Sequence, residues 1–142
     1  MLKGLKIYDL TCNYFENPLG MDSPPRFSWK LHGETRGQRQ TAYRIFVASS
    51  KQNFDRGIYD AWDSGKVYSS QSLHVNYEGK PCQPRTRYWW KVVAYDMEDM
   101  PVESEGAFFE TGKLEEEWEA NWITADYIKK EDFAYAAPLL RK

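Results

Sequence analysis

The residues that most often carry catalysis or bind metals are scarce in this sequence. Its 142 residues include two cysteines, Cys12 and Cys82, and two histidines, His32 and His74. They show no Cys/His cluster with metal-ligand spacing, and neither histidine has a serine or cysteine placed to complete a catalytic triad. A disulfide between the cysteines is an alternative, but a chain of this size can build a core without one, so free thiols are favoured. We therefore expect no cofactor and no metal.

Charge blocks and long apolar runs are also absent. The chain has 19 basic and 21 acidic residues, a net charge of −2, and no basic block that would favour a nucleic-acid partner. No apolar run is long enough to span a membrane. The N-terminal residues 1–6 lack the apolar stretch of a signal peptide. The sequence thus predicts a cytoplasmic protein, or a periplasmic or extracellular one if a signal peptide has been removed.

Aromatic residues, by contrast, are abundant. They make up 16% of the chain, which is typical of strands and of surfaces that contact sugars or proteins. Their pattern is clearest in residues 84–96, where every second residue from Tyr88 is apolar: Tyr88, Trp90, Val92 and Ala94. A period of two predicts a strand with one buried face.

A tyrosine at the start of such a strand, just after a turn that contains proline, is typical of a tyrosine corner. There the ring is buried and the hydroxyl bonds to backbone a few residues upstream. Pro84 and Tyr88 fit this pattern. They predict an all-β fold, an immunoglobulin-like or fibronectin type III-like β-sandwich.

Other alternating segments, separated by turn signals, predict about seven strands in all and a sandwich that spans residues 1–113. Residues 49–57 are expected to form a loop or a short helical turn. The predicted strands cover residues 5–13, 26–31, 40–50, 61–67, 73–77, 88–96 and 106–111.

The C-terminal residues 114–142 have a different character, and we expect a linker followed by the start of a further, truncated β-sandwich. Residues 114–120 favour a short helix with an acidic first turn. The apolar residues 139–140, so near the end of the chain, are typical of a strand cut short, which indicates a fragment of a longer protein. Trp118 and Trp122 are expected to fill the junction between the two domains, with a disordered tail as the alternative.

The outward-facing residues of the Tyr88 strand are the candidate functional surface. Arg87, Trp89 and Tyr95 alternate with the core residues, and Phe46 points outward from the neighbouring strand. Such a patch indicates packing against another domain or a platform on which a sugar ring stacks. Packing is favoured, because a sugar site needs converging polar groups and this strand offers mainly Arg and Lys. The sequence does not decide whether Trp62 packs at a strand edge or is exposed.

A pair of catalytic carboxylates is not supported. Inverting glycoside hydrolysis needs two carboxyl groups across a sugar-sized cleft. The acidic candidates all fall in or near predicted turns, where Asp and Glu are expected anyway. They are Asp60, Asp63, Asp96, Glu98 and Asp99.

Eight segments, in order along nearly the whole chain, carry a resemblance to a known family: residues 17–22 (NPLGMD), 25–29 (PRFSW), 38–45 (QRQTAYRI), 62–67 (WDSGKV), 86–92 (TRYWWKV), 108–112 (FFETG), 118–123 (WEANWI) and 138–142 (PLLRK). The chain resembles the N-terminal region of bacterial α-L-rhamnosidases of glycoside hydrolase family 78. That family places a fibronectin type III-like domain first, then further β-sandwiches, one of which can bind carbohydrate. Its catalytic (α/α)6 barrel hydrolyses terminal α-L-rhamnosides with inversion.

The resemblance implies a non-catalytic accessory domain that braces or positions the catalytic module of its parent enzyme. None of the family's catalytic motifs lies in these residues, so no catalytic residue is carried over. The implied partners are other domains of the same polypeptide. A carbohydrate-binding module that recognises plant or microbial rhamnose-containing glycans is the alternative. An adhesion-type repeat ranks last, since the sequence shows no internal repeat.

Overall fold

The chain folds into two antiparallel sheets packed face to face. A computed structural model describes residues 4–123 and Leu139. Its elements in chain order are β1 (Leu5–Cys12), β2 (Arg26–Gly33), β3 (Ala42–Ala48), α1 (Lys51–Asp55), β4 (Trp62–Asp63), β5 (Val75–Asn76), β6 (Arg87–Tyr95), β7 (Pro101–Glu103) and β8 (Ala107–Glu110).

The topology places two pairs of edge strands at opposite flanks. The smaller sheet has the order β1-β2-β5, and the larger has the order β4-β3-β6-β7, with β8 also paired to β6. One flank is therefore bounded by β4 and β5, and β1 contacts β7 at the other flank. The predicted all-β, immunoglobulin-like sandwich is confirmed.

The core is built around aromatic rings from both sheets. Phe27 has no exposed surface, and its ring centroid lies 4.4 Å from that of Trp90 and 5.9 Å from that of Phe109. Trp29 and Trp90 are both buried, as the alternation predicted. Aromatic pairs at these separations stabilise a core beyond the area that they bury.

The tyrosine corner is also confirmed. Tyr88 is 3% exposed, and its hydroxyl accepts a hydrogen bond of 2.8 Å from the backbone N–H of Gln83, five residues upstream. The ring stacks on Phe109, with centroids 5.1 Å apart. The corner thus fixes the turn before β6 to the core of the sandwich.

Two predicted strands are shorter than the sequence indicated. The strand expected at 73–77 is limited to β5, because His74 adopts a left-handed φ of 53° that interrupts extended backbone. The strand expected at 61–67 is limited to β4, since Gly65 has a φ of 66°. Ser64 Oγ there accepts a 2.8 Å hydrogen bond from the Ile45 N–H.

Two further differences concern the second half of the chain. β7 was not predicted. It begins at Pro101, and the first residue of a strand is a position that proline tolerates. The helix predicted for residues 114–120 is wrong: the chain makes a turn in which Glu116 N–H donates to Lys113 C=O at 3.1 Å, then has no regular structure up to residue 119. Leu114 has a left-handed φ of 50°, and so short a helix is marginal by itself.

Two predictions about the C-terminal part of the chain stay predictions. The second β-sandwich near residue 138 lies outside the described residues, and the domain boundary at residue 113 stays a prediction. Both cysteines are free thiols, with Cys12 buried. Within residues 4–123, no group of His, Cys, Asp and Glu could hold a metal ion. No helix in this part of the chain is long and apolar enough to cross a membrane.

Candidate functional site

The outer surface of the larger sheet carries a continuous group of aromatic and cationic side chains. We call it the aromatic–cation face. Its members come from β3, α1, the segment after α1, β6 and β8. They are the rings of Phe46, Phe54, Tyr59, Trp89 and Phe108 and the cations of Arg44, Lys51, Arg87 and Lys91.

The five rings form an unbroken chain of contacts. Trp89 lies between two of them, with its ring centroid 5.2 Å from that of Phe108 and 6.2 Å from that of Phe54. The chain continues from Phe54 to Tyr59 at 6.2 Å and from Tyr59 to Phe46 at 4.4 Å. All five side chains are half-buried, so the face keeps accessible apolar surface.

Helix α1 brings Phe54 onto this face. Ser50 caps the helix by accepting a 3.1 Å hydrogen bond from the Asn53 N–H. Gly106 lets the Phe54 ring come close to the start of β8, because a Cβ there would meet two ring carbons at 2.9 Å. Part of the outer sheet surface is therefore covered by the chain's own helix.

Cations lie over the rings. The Arg87 guanidinium carbon is 4.3 Å from the ring centroid of Phe108, and the corresponding carbon of Arg44 is 4.8 Å from that of Phe46. Lys51 Nζ is 5.1 Å from the centroid of Trp89. Lys91 Nζ lies near three rings, those of Phe46, Phe54 and Tyr59, at 5.8, 5.7 and 5.2 Å. These are cation–π distances.

A carboxylate holds each of these cations in place. Arg44 donates to Asp63 at 2.8 and 2.6 Å, and Arg87 donates to Glu110 at 3.0 Å. Lys51 pairs with Asp55, and Lys91 pairs with Glu103. The face therefore balances four positive with four negative charges.

The pKa values on the face follow from these pairs. The Arg44 hydrogen bonds lower the pKa of Asp63, although partial burial opposes this. Burial disfavours the charged form of Lys91, but its contacts with Glu103 and Tyr59 outweigh burial, and the pKa is raised. Asp63 and Lys91 are consequently charged at neutral pH.

The remaining predicted residues lie elsewhere. Tyr95, at the far end of β6, has Lys66 Nζ 4.0 Å from its ring centroid. Trp62 lies in β4 and packs against the core, stacked on Phe27 at 6.2 Å and edge-on to Tyr77 at 5.3 Å. The structure thus brings Phe46, Arg87 and Trp89 together on one face and separates Trp62 from them.

Comparison with known families identifies the fold. A model described as "Rha78A-like, N-terminal immunoglobulin domain" matches residues 7–115. The chain belongs to this family. The resemblance found in the sequence is therefore confirmed.

Individual relatives of this immunoglobulin domain support the assignment. An α-L-rhamnosidase of Streptomyces avermitilis is 39% identical over 127 residues, which cover 87% of this chain and 12% of the relative. One of Formosa agariphila is 44% identical over 116 residues, with 79% and 12% covered. The solved α-L-rhamnosidase of "Dictyoglumus thermophilum" superposes with a TM-score of 0.80 at 43% identity, covering 87% of this chain and 14% of that one. The chain therefore spans about an eighth of the proteins that it matches.

The segment after the matched region also carries exposed aromatic surface. Trp118 is 79% exposed and Trp122 fully so. Lys113 Nζ lies 5.3 Å from the centroid of Trp118, and Arg85 pairs with Glu116 at 2.6 Å. These contacts hold the first residues of the tail beside the immunoglobulin domain and leave both indoles accessible.

The sequence analysis missed four members of the aromatic–cation face, although signals for three were present. Phe108 precedes buried Phe109, so the period of two already places it outside. Lys51 and Phe54 are three apart, a spacing that puts them on one side of a helical turn. Tyr59 follows α1 in an irregular segment, where no periodicity indicates its direction.

Proposed function

We propose that this immunoglobulin domain is a non-catalytic accessory domain of an α-L-rhamnosidase, and that it braces the catalytic module through the aromatic–cation face. The parent would hydrolyse terminal α-L-rhamnosides, with its catalytic module outside this chain. The observation that carries the proposal is the unbroken chain of five half-buried rings on the outside of the larger sheet.

Such a surface is unusual for a sheet that faces water. Antiparallel sheets with one solvated face carry polar residues there. Aromatic side chains and arginine are instead enriched where proteins contact one another, and tryptophan is a frequent centre of binding energy. Trp89 contacts two of the five rings, and Arg44 and Arg87 lie at the two ends of the ring chain.

The placement of the cations favours a protein partner over a stacked sugar. A sugar platform needs an open ring face with polar groups beside it. Here Lys51 lies over Trp89 and Arg87 lies over Phe108, so cations already occupy ring faces that a sugar would use. A protein surface can instead pack against the ring edges and the aliphatic parts of these side chains.

The names of the relatives supply the enzyme context. The matched proteins from Streptomyces avermitilis and Formosa agariphila are α-L-rhamnosidases, and this chain corresponds to about an eighth of their length. This context gives a direct test of the non-catalytic role. We expect the purified chain to release no aryl group from an aryl α-L-rhamnoside, whereas its full-length parent should do so under the same conditions. Turnover by the chain itself would contradict the proposal.

The bracing role predicts that Trp89 matters more in the parent enzyme than in the isolated domain. In the isolated chain, Trp89→Ala removes contacts with Phe54, Phe108 and Lys51. In the parent it would also remove a buried interface contact, which for a tryptophan at the centre of an interface contributes about 2 kcal/mol or more. The measurement is thermal and urea unfolding of both proteins, with and without the substitution.

The matched control is Tyr8→Ala. Tyr8 is an exposed aromatic residue on β1, in the other sheet. Its replacement should change the stability of the chain and of the parent equally. An equal effect of Trp89→Ala in the two proteins would rule out an interface at this face.

A further inference from the structure

A second surface, separate from the aromatic–cation face, has the form of a small ligand site. It is a cleft of about 310 Å³ at the flank where β4 and β5 form the edges of the two sheets. Ligand sites have volumes of about 300–1,000 Å³, so this cleft is of a size for one small molecule. The side chains that matter for recognition are those of Tyr43, Trp62, Gln71, His74, Asn76 and Glu78.

Aromatic side chains form the rigid part of the cleft. Trp62 is held by its contacts with Phe27 and Tyr77. Gly79 allows the adjoining chain to approach it, since a Cβ at this position would lie 2.5 Å from Trp62 Cβ and 2.6 Å from Ala61 O. Tyr43 is buried behind the cleft, and its ring is fixed edge-on to Trp29 at 5.4 Å. The cleft is therefore formed before any ligand arrives.

Polar groups in the cleft have unused hydrogen-bonding capacity. Within residues 4–123, the side chains of Asn76 and Glu78 make no hydrogen bond or ion pair. His74 Nδ1 is buried and has no partner there. Such a buried atom is costly unless something bonds to it. Gln71 uses its Nε2 on the carbonyls of Leu73 and His74, and no described group donates to its Oε1.

The charges in the cleft narrow the ligand class. Among residues 4–123, no lysine or arginine lines it, and Glu78 is the acidic residue that does. Burial and the nearby Glu78 carboxylate raise the pKa of Tyr43, so its hydroxyl stays protonated and can donate. An anionic ligand would meet repulsion without a compensating cation. The cleft offers the side-chain amides of Gln71 and Asn76, the Glu78 carboxylate and the Trp62 indole. A ligand with several hydroxyl groups and one apolar face is complementary to these groups.

We propose that this cleft binds a single neutral pyranose residue, which would pack on Trp62 and bond to Asn76 and Glu78 through adjacent hydroxyl groups. This inference does not depend on the bracing role, because the cleft and the aromatic–cation face share no residue. It gives the domain a sugar contact separate from Trp89, which belongs to the outward patch that the sequence analysis offered as a possible sugar platform.

The test is a titration of the isotope-labelled chain with methyl α-L-rhamnopyranoside and, separately, methyl α-D-glucopyranoside. The indole N–H signal of Trp62 is assigned with a Trp62→Phe variant and followed by NMR. We expect a saturable shift with at least one sugar, in the millimolar range, because a small neutral ligand buries little area. Asn76→Ala and Glu78→Gln should each weaken binding about fivefold or more, since each removes hydrogen bonds to the sugar.

Asn76 and Glu78 are exposed, so Asn76→Ala and Glu78→Gln should keep the fold. The NMR spectra of the two variants show directly whether they do. Glu105→Gln on the opposite flank and Trp89→Ala should leave the Trp62 shift unchanged. The proposal is overturned if neither sugar gives a saturable shift up to about 100 mM. It is equally overturned if the shift persists in both cleft variants. Arginine methyl ester serves as a cationic probe, and its binding in the cleft without binding of the sugars would also overturn the proposal. Failure of this titration would leave the stability comparison of Trp89→Ala unaffected.

Discussion

Replacing Phe27 by alanine is expected to lower the free energy of unfolding by about 3–5 kcal/mol. Phe27 has no exposed surface and lies between the sheets, in contact with Trp90 and Phe109. Removing its ring costs the transfer free energy of the lost atoms and leaves a cavity that rigid strands cannot fill. Urea denaturation followed by tryptophan fluorescence measures the change.

Two further variants make the Phe27 result interpretable. Phe15→Ala removes an exposed ring and should change stability by less than about 0.5 kcal/mol. Phe27→Leu keeps much of the volume and should cost about 1.5 kcal/mol or less. A loss for Phe27→Ala no larger than that for Phe15→Ala would contradict the packing described for the core. If the alanine variant does not fold, Phe27→Leu can still be compared with Phe15→Ala, and it should lower stability more.

The part of the fold that the sequence could predict is the part set by alternation. In β6, burial of one face fixes the register, since a shift by one residue would expose every core side chain. Tyr88, Trp90, Val92 and Ala94 are all buried as expected. The tyrosine corner follows from the same segment, because its partner at Gln83 is only five residues away.

What the sequence could not predict depends on isolated backbone conformations. A left-handed φ at His74 shortens one strand, and another at Leu114 prevents a helix. Leucine rarely adopts that conformation and histidine does so in a small fraction of cases, so composition gives little warning. The cost of these conformations is met by tertiary contacts, such as the 3.0 Å hydrogen bond from the His74 N–H to Ser28 Oγ.

The two candidate surfaces also differ in how far the sequence could predict them. Phe46 and Trp89 could be assigned outward from strand periodicity alone, because they lie on the long neighbouring strands β3 and β6. The cleft at Trp62 joins residues from β3, β4 and β5 with the connection before β5. Two of these strands have only two residues each, too few for a period to appear. Its polar residues, at positions 71–78, meet Tyr43 and Trp62 only once the two sheets have packed.

The last prediction concerns Gln40, which links the core to the wall of this cleft. It is almost fully buried, and its Oε1 accepts a 2.9 Å hydrogen bond from Trp29 Nε1. Its Nε2 donates to the carbonyls of Ser69 and Gln71 at 3.0 and 2.9 Å. Gln40→Leu is expected to cost about 2–4 kcal/mol, since it leaves the indole N–H buried without a partner and releases both carbonyls. Urea unfolding gives this value.

A double-mutant cycle with Trp29→Phe separates the hydrogen bond that Gln40 accepts from Trp29 from the two that it donates to backbone carbonyls. Trp29→Phe removes the indole donor, so the double variant should cost less than the sum of the single ones if the Trp29–Gln40 bond contributes as described. Gln52→Leu on α1 is the matched control and should change stability by about 0.5 kcal/mol or less, because Gln52 is exposed. A cost for Gln40→Leu no greater than this control would contradict the network. Since Gln40 also fixes the backbone at Gln71, a folded Gln40→Leu variant should give a weaker sugar-induced shift of Trp62 than the unsubstituted chain.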